Sequence, residues 1–415
     1  MTATTDDRRS RAGSWLLGFY AAGSAAETLQ AVAILWATYL LTHNAVIVGA
    51  VNAAAYLPGV VLGLVLRKKA DSGSAGRLLS LTNWVLFAGS TALALVWAAD
   101  LPQGALLGAF ALVQCSLSVV KTLNKAYVGR FVRRHFARSE AVRLVERATS
   151  LALVGGLVGG GISGLLLDTS AADWCFTLAA VLYLVSLAAV WRVARTRPEG
   201  TAATPAPTAQ LVAGPTPTDV ELEDPAGRLR LILLYSVPSS GALPFVSTLM
   251  VPLAQAVAPG SGLFYSVLTV TSMCGGFLAG MALSSGRLSA AATLNTALGT
   301  GGALVACFAA FHWRPAVVLL MLVATAVLTA HVMVMQVLTN QAPPEGRVGR
   351  FSVVRNAVAG SAKAGFSLLA GWLVDAGGLT TAWLVLGAVL GAFGLAWWGS
   401  PERSTIGRLV DVGQD

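Results

Sequence analysis

Glu27, Lys121 and Lys363 are ionisable residues set deep within stretches that are otherwise apolar. In a membrane-spanning helix such a group costs at least ~2.5 kcal/mol at the centre, so each calls for a reason. Glu27 is the one acid expected at mid-depth. Tyr20, Ser24, Glu27 and Gln30 recur at helical spacing and are expected to share a face. Desolvation favours a protonated carboxyl and a nearby lysine favours the ionised one, so Glu27 can alternate its charge and is a candidate proton carrier. The plainer reading is a structural ion pair with a lysine. Gln114, Ser118, Lys121 and Lys125 follow at i, i+4, i+7 and i+11 and form a polar stripe. Lys125, near a helix end, can snorkel to the headgroups, whereas Lys121 lies deeper. Lys363 is central in its run, with Arg355 and Asn356 towards its start. His331 stands one turn from Met335, as a ligand contact or as a hydrogen-bonded structural group. Two core lysines and a histidine against one glutamate leave the interior neutral to positive. A bound small molecule is therefore expected to be anionic or zwitterionic, with Tyr20, Tyr235, Phe245 and Trp36 against its apolar part.

The elements that position these residues are twelve apolar stretches, each long enough to cross a bilayer, which takes about 20 residues. They are expected at 14–41, 46–66, 78–98, 104–127, 148–167, 173–191, 230–252, 262–283, 290–311, 315–338, 353–375 and 379–398. The fold class is all-α integral membrane, twelve helices in two pseudo-symmetric six-helix bundles. The divisions are 1–192, a flexible linker at 193–228, a second bundle at 229–400, and a tail at 401–415. Charged residues make up 11% of the chain, against roughly 25% in soluble domains. The net charge of +9 does not point to nucleic acid, because 24 of the 28 Lys and Arg fall in the two termini and the loops expected on the same side. That bias places both termini in the cytosol. The basic start (Arg8, Arg9, Arg11) precedes a run too long for a signal peptide, so it is read as an uncleaved first helix. The four cysteines show no metal spacing and are expected to be free.

The halves repeat each other. Val128-Gly129-Arg130-Phe131 returns as Val348-Gly349-Arg350-Phe351, and Gly76-Arg77-Leu78 as Gly286-Arg287-Leu288. The glycine-rich fifth span ends Gly-Leu-Leu-Leu-Asp168 in one half and Gly-Trp-Leu-Val-Asp375 in the other. Parallel six-helix repeats are a secondary-transporter architecture, with the site near mid-membrane between the halves. On these residues, and on the stretch 343–378 with its Gly-Arg-Val element and glycine-bearing helix, the chain resembles the major facilitator superfamily, in particular exporters of the enterobactin-exporter and multidrug type. The resemblance implies gating residues in the loops after the second and tenth helices, here Asp71 and Arg77, Arg347 and Arg350. Gly63 is followed by Arg67, with Asp71 and Arg77 further on, a looser spacing than the family's Gly-x-x-x-Asp-Arg-x-Gly-Arg. The fifth helix has the glycines of the exporters' motif without its proline.

The resemblance implies a proton-coupled exporter of a small amphipathic metabolite, drug or siderophore, in the cytoplasmic membrane of a bacterium. Uptake of an organic anion and a non-transporting receptor or scaffold are the alternatives. The proton gradient is the expected energy source, with no cofactor. The expected partners are a small-molecule substrate and the lipid bilayer; nucleic acid is not expected, and the chain is expected to be a monomer. No enzyme is expected: P-loop, G-x-S-x-G and His-Glu-x-x-His patterns are all missing. Gly159 to Gly164 fits G-x-G-x-x-G but lies inside a span with no preceding strand, and the glycines at 155/159, 156/160 and 160/164 read as close helix packing. Pro238 and Pro244 are expected to break the seventh helix. Residues 129–147, rich in arginine, are expected to form an interfacial helix.

Overall fold

The computed structural model describes residues 5–65, 75–136, 138–169, 172–196, 225–343, 348–401, 403 and 406. All regular structure among them is helical: α1 (Thr5–Thr42), α2 (Ala45–Ala54), α3 (Leu57–Val65), α4 (Ala75–Ala98), α5 (Gln103–His135), α6 (Arg138–Asp168), α7 (Ala172–Thr196), α8 (Pro225–Val257), α9 (Gly262–Ser284), α10 (Ala290–Cys307), α11 (Arg314–Gln341) and α12 (Val348–Trp398). Ten stretches are long and apolar enough to cross a membrane. Large side chains such as Leu81, Trp84, Leu95, Leu112, Trp174 and Leu395 stand exposed around the outside. A surface that apolar suits lipid and not water. The expected linker at 193–228 lies largely outside the described residues, between the end of α7 and the start of α8.

Several boundaries depart from the sequence expectation, each for a backbone reason. The second span is not one helix. Pro58 has no N–H to give the carbonyl four residues back, so α2 stops at Ala54 and the chain turns at Ala55 and Tyr56 before α3. Their N–H groups fall back on Asn52 (3.1 Å) and Ala53 (3.0 Å). By contrast α8 runs unbroken through Pro238, Pro244 and Pro252. The expected breaks are absent because neighbouring helices and hydroxyl side chains hold such a helix together in lipid. Thr248, for one, donates to the Pro244 carbonyl (3.0 Å). The arginine-rich stretch at 129–147 is no separate interfacial helix. It is shared between the end of α5 and the start of α6, which meet near Phe136. The last two expected spans form one helical stretch, α12, interrupted only where Gly378 takes φ 82° and ψ 170°.

The glycines of α6 seat it directly on α1. A Cβ at Gly155 would lie 2.2 Å from the Ala21 carbonyl oxygen, and one at Gly159 2.3 Å from that of Ala25. Backbone-to-backbone approach of this kind is what small-xxx-small spacing allows. α1 also packs on α7, α4 on α5 and α7, and α12 on α8 and α10. Between the two halves of the chain, α6 lies along α9, and α2 and α3 lie along α12. We call the face carrying Ala45, Asp168, Gly262 and Asp375 the distal face, and the one where α1 begins the terminal face. A second apolar cluster (Leu16, Phe19, Tyr127, Phe131, Val190) closes the N-terminal half near the terminal face.

Candidate functional site

Glu27 on α1 forms an ion pair with Lys121 on α5. Neither side chain is buried: Lys121 is 46% exposed and Glu27 39%. The carboxylate also lies close enough to Tyr56 and Tyr183 to act on both electrostatically. Tyr56 sits at the α2–α3 break, and the Lys363 ammonium of α12 stands 5.6 Å from its ring centroid. That is within the range of a cation–π contact. The four side chains thus link α1 and α5 of one half, through the turn at Tyr56, to α12 of the other.

The break before Pro58 is what presents Tyr56 to this cluster. α3 is then held to α5, where the Gly59 N–H donates to Ser118 Oγ (2.9 Å). A side chain at Gly59 would run into Ser118 and Thr122. One turn further towards the distal face, Asn52 joins three helices. Its Nδ2 donates to the Pro244 carbonyl (3.2 Å), Thr248 Oγ1 (3.0 Å) and Ser367 Oγ (3.3 Å). An unpaired amide at that depth costs several kcal/mol, so the hub ties α2 to α8 and α12.

Towards the distal face the halves are in close contact. Trp36 of α1 stacks on Tyr265 of α9 at 5.5 Å and 13°. Ser266 donates to the Gly160 carbonyl. Cβ atoms at Gly164 and Gly371 would collide with Ser266 and with the Ala45 carbonyl. α5 packs on α1 to α4 and on α6, and α11 on α8 to α10 and α12, so each keeps to its own half. α1 and α8 are the most enclosed of the spans.

The structure spreads the sequence-predicted residues over different surroundings. Ser24 and Thr28 face Gly156 of α6 and Met273 of α9. Tyr20 packs on the cluster at the terminal end. Gln30 is fully buried with neither amide atom hydrogen-bonded. Ser24 thus meets α6 and Glu27 meets α5, so the four residues, though spaced to share a face, meet different neighbours. Gln114, His331 and Met335 are buried in helix packing, and His331 Nδ1 has no partner. Tyr235 lies edge-on to Trp397 (4.8 Å) and Phe393 (6.1 Å) of α12. Arg77 is exposed in the first turn of α4, and Arg350 falls in the first turn of α12. Asp71 and Arg347 lie outside the described residues. The sequence reading overlooked Tyr56 and Asn52. The signals were a Tyr-Leu-Pro step and an asparagine inside an apolar run. An apolar groove outside α4 and α5 (Leu81, Val85, Val119, Leu123) holds none of the charged residues.

The sequence matches no protein-family model and no curated protein. Solved structures do match it over nearly its whole length. A bacterial homologue of the iron transporter ferroportin, in an inward-facing state, aligns with TM-score 0.68 and 15% identity over 94% of this chain and 99% of that one. A bacterial homologue of the human lysosomal transporter Spinster, inward-facing and occupied, gives 0.68 and 12% over 98% and 95%. The nucleoside transporter NupG gives 0.66 and 12% over 94% and 98%. The chain shares the fold of these transporters. At these identities the likeness is one of fold; the ten long apolar helices are what support an all-helical, multi-pass membrane protein.

Proposed function

We propose that this chain is a secondary active transporter that works by alternating access, with Glu27 as the proton-coupling group. On this reading there are twelve spans in two bundles, α2 and α3 together making one span and α12 making two that meet at Gly378. The observation that carries the proposal is the Glu27–Lys121 pair, half-exposed inside apolar helices and linked through Tyr56 to Lys363 of the opposite half. At about 4 Å and an effective dielectric near 20, two unit charges attract by about 4 kcal/mol. Hydration offsets most of this, and exposed pairs retain a net ~0–1 kcal/mol. A zwitterionic cargo can set its cationic group on ionised Glu27 and its anionic group on Lys121, with Lys363 nearby, once the proton has left Glu27. A proton arriving on Glu27 removes the charge that holds the cationic group and expels the cargo. Proton and cargo thus exclude each other on one site, which couples proton entry to cargo exit.

The favoured direction is export of a small amphipathic metabolite, drug or siderophore, from a cell membrane in which both termini are cytosolic. The resemblance to the enterobactin-exporter type supports that direction. Neither a cofactor nor a second subunit is needed. The test uses inside-out vesicles with an acidified lumen and candidate zwitterionic cargo. Cargo should accumulate with the wild-type chain and not with Glu27→Gln. Lys121→Ala should raise the KM for cargo. Accumulation only under the opposite gradient would replace export by uptake. Wild-type accumulation by Glu27→Gln would falsify the coupling role.

A further inference from the structure

Both glycine-rich segments of the internal repeat close on an aspartate, Asp168 at the end of α6 and Asp375 just before the break at Gly378 in α12, and each aspartate reaches the opposite half. Asp168, the last residue of α6, accepts from the Ser261 hydroxyl (3.1 Å) and the Leu263 N–H (3.4 Å) at the start of α9. Asp375 of α12 accepts from the Ala45 N–H (3.1 Å) at the start of α2. Each of these helices also has its own cap. Asn44 accepts from the Ile47 N–H (3.0 Å) and Ser261 from the Phe264 N–H (3.2 Å). A helix begins with four N–H groups that lack partners within it, and its positive end favours a carboxylate. Each aspartate therefore takes a donor that the local cap leaves over. Close approach makes this reach possible, for a Cβ at Gly262 would lie 2.5 Å from Leu167 and one at Gly371 2.3 Å from the Ala45 oxygen.

We infer that Asp168 and Asp375 are a pair of reciprocal latches, related by the internal repeat, that hold the distal face shut. Each half supplies one carboxylate and one helix start. A rotation that parts the halves at the distal face breaks both latches together and leaves the amides to water. The contacts exist in the closed arrangement alone, so they bias the equilibrium between arrangements as well as stability. The inference rests on the alternating-access reading in one respect only, that the distal face opens.

The test reads opening directly, with no cargo or gradient, so its outcome is separate from that of the transport assay. Ser266 is buried between the halves. In a background without the native cysteines, Ser266→Cys is labelled by a membrane-impermeant maleimide only when the distal face parts. Asp168→Ala and Asp375→Ala should each raise the labelling rate about threefold, and together about tenfold, the low end for a lost cap because both aspartates are exposed. Asp168→Asn with Asp375→Asn keeps an acceptor and should stay near the parent rate. If Asp375→Ala does not assemble, Asp375→Ser, too short to reach Ala45, carries the same expectation. The latch is refuted if loss of Asp375 leaves Cys labelling at 266 unchanged, since that position lies at the other interface. It is also refuted if the asparagine pair opens the face as far as the alanine pair.

Discussion

Adding one methyl group at Gly371 should shift the protein between its two arrangements, while the same addition at Gly159 should only weaken it. A Cβ at Gly371 would lie 2.3 Å from the Ala45 carbonyl oxygen, and one at Gly159 lies equally close to that of Ala25. Carbon–oxygen contacts settle at about 3.3–3.6 Å, so either alanine forces its helix back by about 1 Å. Overpacking of this kind costs about 1–3 kcal/mol. The consequence depends on which helices are forced apart. Gly159 and Ala25 belong to the same half and stay together whichever face is open, so the cost falls on both arrangements. Gly371 and Ala45 belong to opposite halves and meet only when the distal face is closed. The same retreat stretches the 3.1 Å bond between Asp375 and the Ala45 N–H beyond hydrogen-bonding range. Gly371→Ala should therefore favour the distal-open arrangement by about 5- to 150-fold, that cost expressed as a ratio. Maleimide labelling at Ser266→Cys measures the shift, and thermal unfolding in detergent measures the loss of stability. Labelling raised equally by Gly159→Ala, or unchanged by Gly371→Ala with Tm lowered, would show that the halves do not move as rigid units.

Three further outcomes follow from the same geometry. Asn52→Ala removes the donor shared by Pro244, Thr248 and Ser367, and should lower stability in detergent by about 1–3 kcal/mol, read from Tm. Pro58→Ala restores the missing donor and should let α2 run on into α3, carrying Tyr56 away from Lys363; cargo affinity should fall with expression unchanged. Tyr56→Phe keeps the ring that Lys363 faces and should bind cargo nearly as the parent does, whereas Tyr56→Leu should weaken binding several-fold, in line with a cation–π contact of about 0.5–2 kcal/mol.

The sequence alone determined that the chain is helical, rich in runs long enough to cross a membrane, and marked by short segments repeated between its halves. Apolar run length, the one-sided placement of Arg and Lys, and the repeated Val-Gly-Arg-Phe and glycine-to-aspartate segments are local features, legible without coordinates. It also singled out Glu27, Lys121 and Lys363, because a charge in an apolar run is conspicuous wherever the run packs. Which of them meet was a tertiary matter. Glu27 and Lys121 pair, and Lys363 faces Tyr56, which no charge argument flags and which the break at Pro58 turns inward. Gln30, Gln114, His331 and Met335 looked equally suited to a cavity and are instead packed between helices. Helical spacing gives a residue's direction relative to its own helix, and only the packing of the helices says what lies in that direction. The aspartates at 168 and 375 make the same point. Their repetition is plain in the sequence, but their role as caps on helices of the opposite half exists only once the two halves are brought together.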